Sequence, residues 1–180
     1  TLTENADLAG ITANESFTLV GNGGGEKPIF SGSPTVNVAA GKELILDEGF
    51  NSTGGDFIKT GDGIVNFRGL GIDMGGNKVI VNAGTLSMSQ GQWGGSAAPF
   101  TSATEIVVNS SGTLHNNVAH GIAPYGAQQS VILNGGSYNV AFSNYHDVIN
   151  MTAGTVYGTA DIRAKYFGSM NVTSNAAATS

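Results

Sequence analysis

Gly75-Gly76-Asn77-Lys78-Val79-Ile80-Val81-Asn82-Ala83-Gly84-Thr85-Leu86-Ser87-Met88 is the stretch that decides how this chain folds. It holds a short β-branched run, a small-residue turn and a second short run. Val79, Val81, Leu86 and Met88 fall at alternate positions, so each run offers one apolar face to a core. The turn Asn82-Ala83-Gly84 permits positive φ and a close approach between backbones.

The phrase recurs on both sides. Upstream it reads Val36-Asn37-Val38-Ala39-Ala40-Gly41, then Leu44-Ile45-Leu46. Downstream come Ile106-Val107-Val108-Asn109-Ser110-Ser111-Gly112-Thr113-Leu114, and Val131-Ile132-Leu133-Asn134-Gly135-Gly136-Ser137-Tyr138. A further copy is Val148-Ile149-Asn150-Met151-Thr152-Ala153-Gly154-Thr155-Val156, and a degenerate one is Gly63-Ile64-Val65-Asn66-Phe67. The marker glycines at 41, 63, 84, 112, 136 and 154 are spaced by 22, 21, 28, 24 and 18 residues. Such a period marks a stacked repeat, and short strands in each unit make it an all-β one. The expected fold is a right-handed parallel β-helix, a β-solenoid of about five to seven coils stacked at ~4.8 Å. Asn side chains at the repeated turn are then placed to bond to one another along the axis. The competing architecture is an antiparallel β-sandwich, for which Asn134-Gly135 and Asn22-Gly23 are good hairpin signals.

Gly75 to Met88 resembles the autotransporter-associated β-strand repeat, whose phrase runs Gly-Gly-x-x-apolar-x-Val-Asn-x-Gly-Thr-Leu. The Asn-to-Gly-Thr-Leu core returns at 109–114, with looser versions at 134–138 and 151–156. The resemblance covers about residues 35–160. It implies a right-handed parallel β-helix in a bacterial passenger domain or other secreted, surface-exposed protein. The family shares no catalytic residues, so the resemblance transfers none.

Composition agrees with a β fold. Gly, Asn, Ser and Thr make up 43% of the 180 residues, and charged residues only 11%. That is the wrong mixture for helices, while 40% hydrophobic residues suffice for a core. Seven basic residues give nucleic acid no electrostatic footprint. The net charge of −6 sits wholly in residues 1–62, and the remainder is neutral. The absence of Cys removes disulfides, zinc–thiolate sites and thiol nucleophiles together. No apolar run is long enough for a membrane helix. The chain opens at Thr1 without a basic segment followed by an apolar one, and is read as a mature or excised piece.

The expected organisation is an N-terminal capping region at 1–34, in which Ile11 to Leu19 form a capping coil. Solenoid coils follow at 35–168, and 169–180 start a further coil or a frayed tail. An open terminal coil invites pairing with another chain.

Few residues suggest chemistry. Gly69-Leu70-Gly71-Ile72-Asp73-Met74 partly matches a calcium-binding nonapeptide. Asp73, with Asp62 and Asp56 from a loop folding back, forms a candidate calcium site; the ordinary role for these aspartates is a hydrogen bond within a glycine-rich turn. No other cofactor is expected. The histidines are His115, His120 and His146; His115 and His120, five apart and expected between strands, lack a third ligand for a transition-metal site. The longest glycine interval holds Gly91 to Ala103, a loop that is expected to leave the solenoid. Its Gln92, Trp93 and Phe100, with Tyr125 further on, are the candidate partner- or glycan-binding residues. No catalytic residues are assigned, because nothing in the spacing forces two carboxylates into one cleft.

The expected function is a non-catalytic, extracellular structural or adhesive module of a bacterial cell-surface protein, assembling end to end into a filament. Its partners would be copies of itself, or a host or matrix glycan or protein. The alternative is a polysaccharide-binding or polysaccharide-degrading β-helix, a lyase, hydrolase or tailspike-like protein. That class would show Asp, Arg, Lys and His clustered on one strand face, whereas Arg68 and Arg163 lie far apart in sequence.

Overall fold

A computed structural model of the chain describes residues 6–21, 26–52, 54–69, 71–89, 105–118, 122, 130–141, 148–159 and 169–172. Among them are twelve strands and no helix. They are β1 (Ala6–Ala13), β2 (Phe17–Leu19), β3 (Pro28–Val38), β4 (Glu43–Leu46), β5 (Asn51–Ser52), β6 (Phe57–Thr60), β7 (Ile64–Phe67), β8 (Val79–Met88), β9 (Glu105–Asn116), β10 (Ser130–Val140), β11 (Val148–Gly158) and β12 (Ser169–Val172). Every pairing between them is parallel. The expected parallel β-solenoid is therefore the observed architecture.

The pairings sort into three faces. On the first, Ala6–Leu8 pair with Pro28–Phe30, then Ile29–Phe30 with β5, and Asn51 bridges to Asp73. The second face runs from Gly10–Ala13 to Thr35–Val38, then through β6, Val79–Val81, Ile106–Val108, Val131–Leu133 and Ile149–Met151 to β12. The third begins at β2 and continues through β4, β7, Thr85–Met88, Thr113–Asn116 and Ser137–Val140 to Thr155–Gly158.

The sandwich alternative fails at its best hairpin signal. β10 runs straight through Asn134-Gly135, and the positive φ of Gly135 (86°) bends the strand from the second face to the third without reversing it. Gly84 makes the equivalent bend in β8 with φ of 64°. A Cβ there would collide with the carbonyl oxygens of Gly61 and Gly63 in the preceding coil. The recurring glycine thus serves both backbone hand and coil-to-coil approach.

The stack does not break at residue 35. β1 and β2 already occupy the same faces as the later coils, so the segment in which a capping coil is expected at Ile11 to Leu19 is continuous with the stack. That coil lacks the Asn-Gly-Thr-Leu phrase, which hid its periodicity.

Alternation fills the bore. Val79, Val81, Leu86 and Met88 are fully buried, as are Ile106, Val108 and Leu114 and then Val131, Leu133 and Tyr138. Toward the N-terminal end the bore holds four buried phenylalanines. Phe50 stacks on Phe57 at 5.1 Å, while Phe30 and Phe67 meet both rings edge-on. In the first coil Ala13 is buried, while the inward Ile11 and Leu19 are half-buried and Phe17 is 39% exposed.

Candidate functional site

The carboxylates are the natural place to look for chemistry, and five of them, Glu15, Glu43, Asp47, Asp56 and Glu105, bind neighbouring coils together. Glu15 pairs with Lys42, Asp47 Oδ1 accepts from Arg68 Nε at 2.7 Å, and Lys78 Nζ lies 2.6 Å from Glu105 Oε2. Glu43 Oε1 accepts from Asn66 Nδ2 at 2.8 Å. Each of these contacts joins residues 21 to 27 positions apart, about one turn of the solenoid.

The three aspartates proposed for calcium do separate work. Asp73 Oδ1 accepts from the Gly75 amide at 2.8 Å, closing a local turn. Asp56 Oδ1 accepts from the Lys78 amide at 2.9 Å in the next coil. Asp62 is exposed in the turn after β6, where its charge acts on Lys59. No cluster of three or more His, Asp or Glu side chains placed to hold a metal exists among the described residues.

Lys59 went unnoticed in the sequence. It is fully buried and points into the bore, in register with Val36 of the coil before and Val81 of the coil after. Its Nζ donates to the carbonyls of Thr60 (2.7 Å), Gly61 (2.6 Å) and Ala83 (3.0 Å). Burial lowers its pKa from 10.5 to about 8, partly offset by the charge of Asp62. All three carbonyls belong to the corner between the second and third faces, so the ammonium ties two coils at a point where no strand ladder runs.

A second line of polar contacts follows that corner. Asn109 Nδ2 donates to Asn82 Oδ1 at 2.7 Å, Asn134 Nδ2 to Asn109 Oδ1 at 3.4 Å, and Thr152 Oγ1 to Asn134 Oδ1 at 3.3 Å. This is the axial asparagine ladder expected from the repeated turn.

The outer side of the third face has a different character. From β8 onward its outward positions form two rows in register: Thr85, Thr113, Ser137 and Thr155, then Ser87, His115, Asn139 and Tyr157. Ser87 is 6% exposed and Tyr157 48% exposed. Partial burial lowers the pKa of His115, favouring its uncharged imidazole. Among the described residues, none of these eight side chains hydrogen-bonds to another. In the adjacent coil Asn66 Oδ1 is buried and accepts no hydrogen bond from a described residue. These rows could have been found by aligning outward positions of successive phrases, Thr-Leu-Ser, Thr-Leu-His, Ser-Tyr-Asn and Thr-Val-Tyr.

Gln92, Trp93, Phe100 and Tyr125 lie outside the described residues, as do His120, His146 and Arg163. The chain matches no protein-family model, no curated protein and no solved structure.

Proposed function

We propose that the chain is a non-catalytic structural or adhesive stem, a β-solenoid module of a bacterial cell-surface protein that stacks end to end. The observation that carries this reading is the use of its charged groups. Glu15, Glu43, Asp47, Asp56 and Glu105 engage partners one coil away, and Lys59 spans two coils from inside the bore. Carboxylates committed to scaffold contacts are poor general acids or bases, since that chemistry needs a pair aimed at one substrate bond. The resemblance of Gly75 to Met88 to the autotransporter-associated repeat supports a secreted, surface-exposed setting. The partly uncovered Phe17, Ile11 and Leu19 support end-to-end contact, because each sits at an inward position where a further coil would bury it.

The test is a reducing-end assay on a panel of neutral and acidic polysaccharides, run beside the triple variant Asp56→Asn, Asp62→Asn, Asp73→Asn. No release of reducing ends by either protein is expected. Release that disappears in the variant would replace the stem with a polysaccharide-degrading β-helix.

A further inference from the structure

We infer that the outer side of the third face, from Thr85 to Tyr157, binds a neutral, linear glycan laid along the solenoid axis. This deepens the adhesive reading given above and rests on it.

The surface is set apart by what its side chains leave undone. At the corner between the second and third faces the asparagines bond to one another, and on the third face before β8 Glu43, Asp47, Asn66 and Arg68 bond across coils. From β8 onward the hydroxyl, amide and imidazole groups of the two outward rows have no hydrogen-bond partner among the described residues. Ser87 makes the point most strongly. It lies between inward-pointing Leu86 and Met88, so its side chain points outward, yet it is 6% exposed. Its hydroxyl, unlike Asn66 Oδ1 in the adjacent coil, is not sealed from solvent, so a group from outside the chain can reach it.

The chemistry of the rows selects the ligand. They contain no Asp, Glu, Lys or Arg, so an anionic chain finds no counter-charge. A neutral sugar offers hydroxyls that both donate and accept, matching Thr85, Ser87, Thr113, Ser137 and Asn139 group for group. Tyr157, the exposed aromatic of the rows, supplies a flat apolar face for the C–H side of a sugar ring. Spacing agrees as well. Successive coils lie ~4.8 Å apart, close to one residue of an extended β-linked chain. The two rows are two residues apart along each strand, ~7 Å, about the width of a pyranose with its hydroxyls.

The experiment uses the full 180-residue chain in affinity electrophoresis through hydroxyethyl cellulose and in co-sedimentation with microcrystalline cellulose. Polygalacturonate is the charged control. The chain is expected to be retarded by the neutral polymers and to ignore polygalacturonate. Tyr157→Ala and, separately, Asn139→Asp are expected to weaken retention about tenfold. Asn150→Ala, on the outer side of the second face, should bind as the parent does. The proposal is overturned by absent binding to both neutral polymers, by preference for polygalacturonate, or by full binding in a Tyr157→Ala or Asn139→Asp protein with parental circular dichroism. Binding accompanied by released reducing ends would uphold the surface and overturn the non-catalytic stem. Absent binding without cleavage would overturn the surface alone.

Discussion

Lys59 reaches across one coil step to donate from Nζ to the carbonyl of Ala83, 3.0 Å away and 24 residues later in the chain. Every neighbour in its row, from Val36 through Val81 to Val108, is a valine. One buried ammonium thus replaces one rung of apolar packing and satisfies three carbonyls that face the bore. Removing it by Lys59→Met restores apolar contact but leaves those carbonyls without a donor. The expected loss is about 2 kcal/mol in urea unfolding.

The same residue gives a pH signature. Its pKa is lowered to about 8 from 10.5, so between those values the unfolded chain binds more protons than the folded one. Stability therefore rises with pH across that window and is flat below it, where both states are protonated. Urea midpoints from pH 7 to 10.5 should show the parent gaining on Lys59→Met above about pH 8. A constant difference between the two proteins would mean that Lys59 keeps its ordinary affinity for the proton.

Gly84→Ala tests the corner. The new Cβ meets the Gly61 and Gly63 carbonyl oxygens at a φ of 64°. A cost of roughly 3 kcal/mol or more is expected, since strain and collision act together. Gly76→Ala is the control; its φ is 83° and nothing lies within 4 Å of the added carbon. That change should cost about 1 kcal/mol, from the backbone alone.

The asparagine ladder should be uneven. Asn109→Ala breaks the 2.7 Å bond to Asn82 and the longer one from Asn134, and should cost about 1 kcal/mol. Asn134→Ala removes only contacts of 3.4 and 3.3 Å, so its unfolding midpoint should lie nearer the parent's.

Much of the stack was legible in Gly75 to Met88. Alternation named Val79, Val81, Leu86 and Met88 as bore residues, and the repeated Asn announced the ladder. What stayed hidden depends on neighbours roughly one turn away. Lys59 breaks the apolar alternation, and its reason for being buried is a carbonyl in the next coil. Asp56 read as a local turn residue, yet its acceptor oxygen serves Lys78. The coil at Ile11 to Leu19 was legible only as a cap, because Ala6–Ala13 carries its strand without the phrase. The outward rows were not legible because single hydroxyl and amide residues between bore positions read as ordinary solvated side chains until the register aligns them.

The most direct test of the stem reading is multi-angle light scattering of the purified chain across a wide concentration range, beside Phe17→Lys. Phe17 is an inward position left 39% exposed, and a charge there would be buried by any coil stacked upon it. The parent is expected to grow into elongated particles with concentration while Phe17→Lys stays at the mass of one chain. A parent that keeps the mass of one chain at every concentration, or a variant that assembles as readily, would contradict end-to-end stacking.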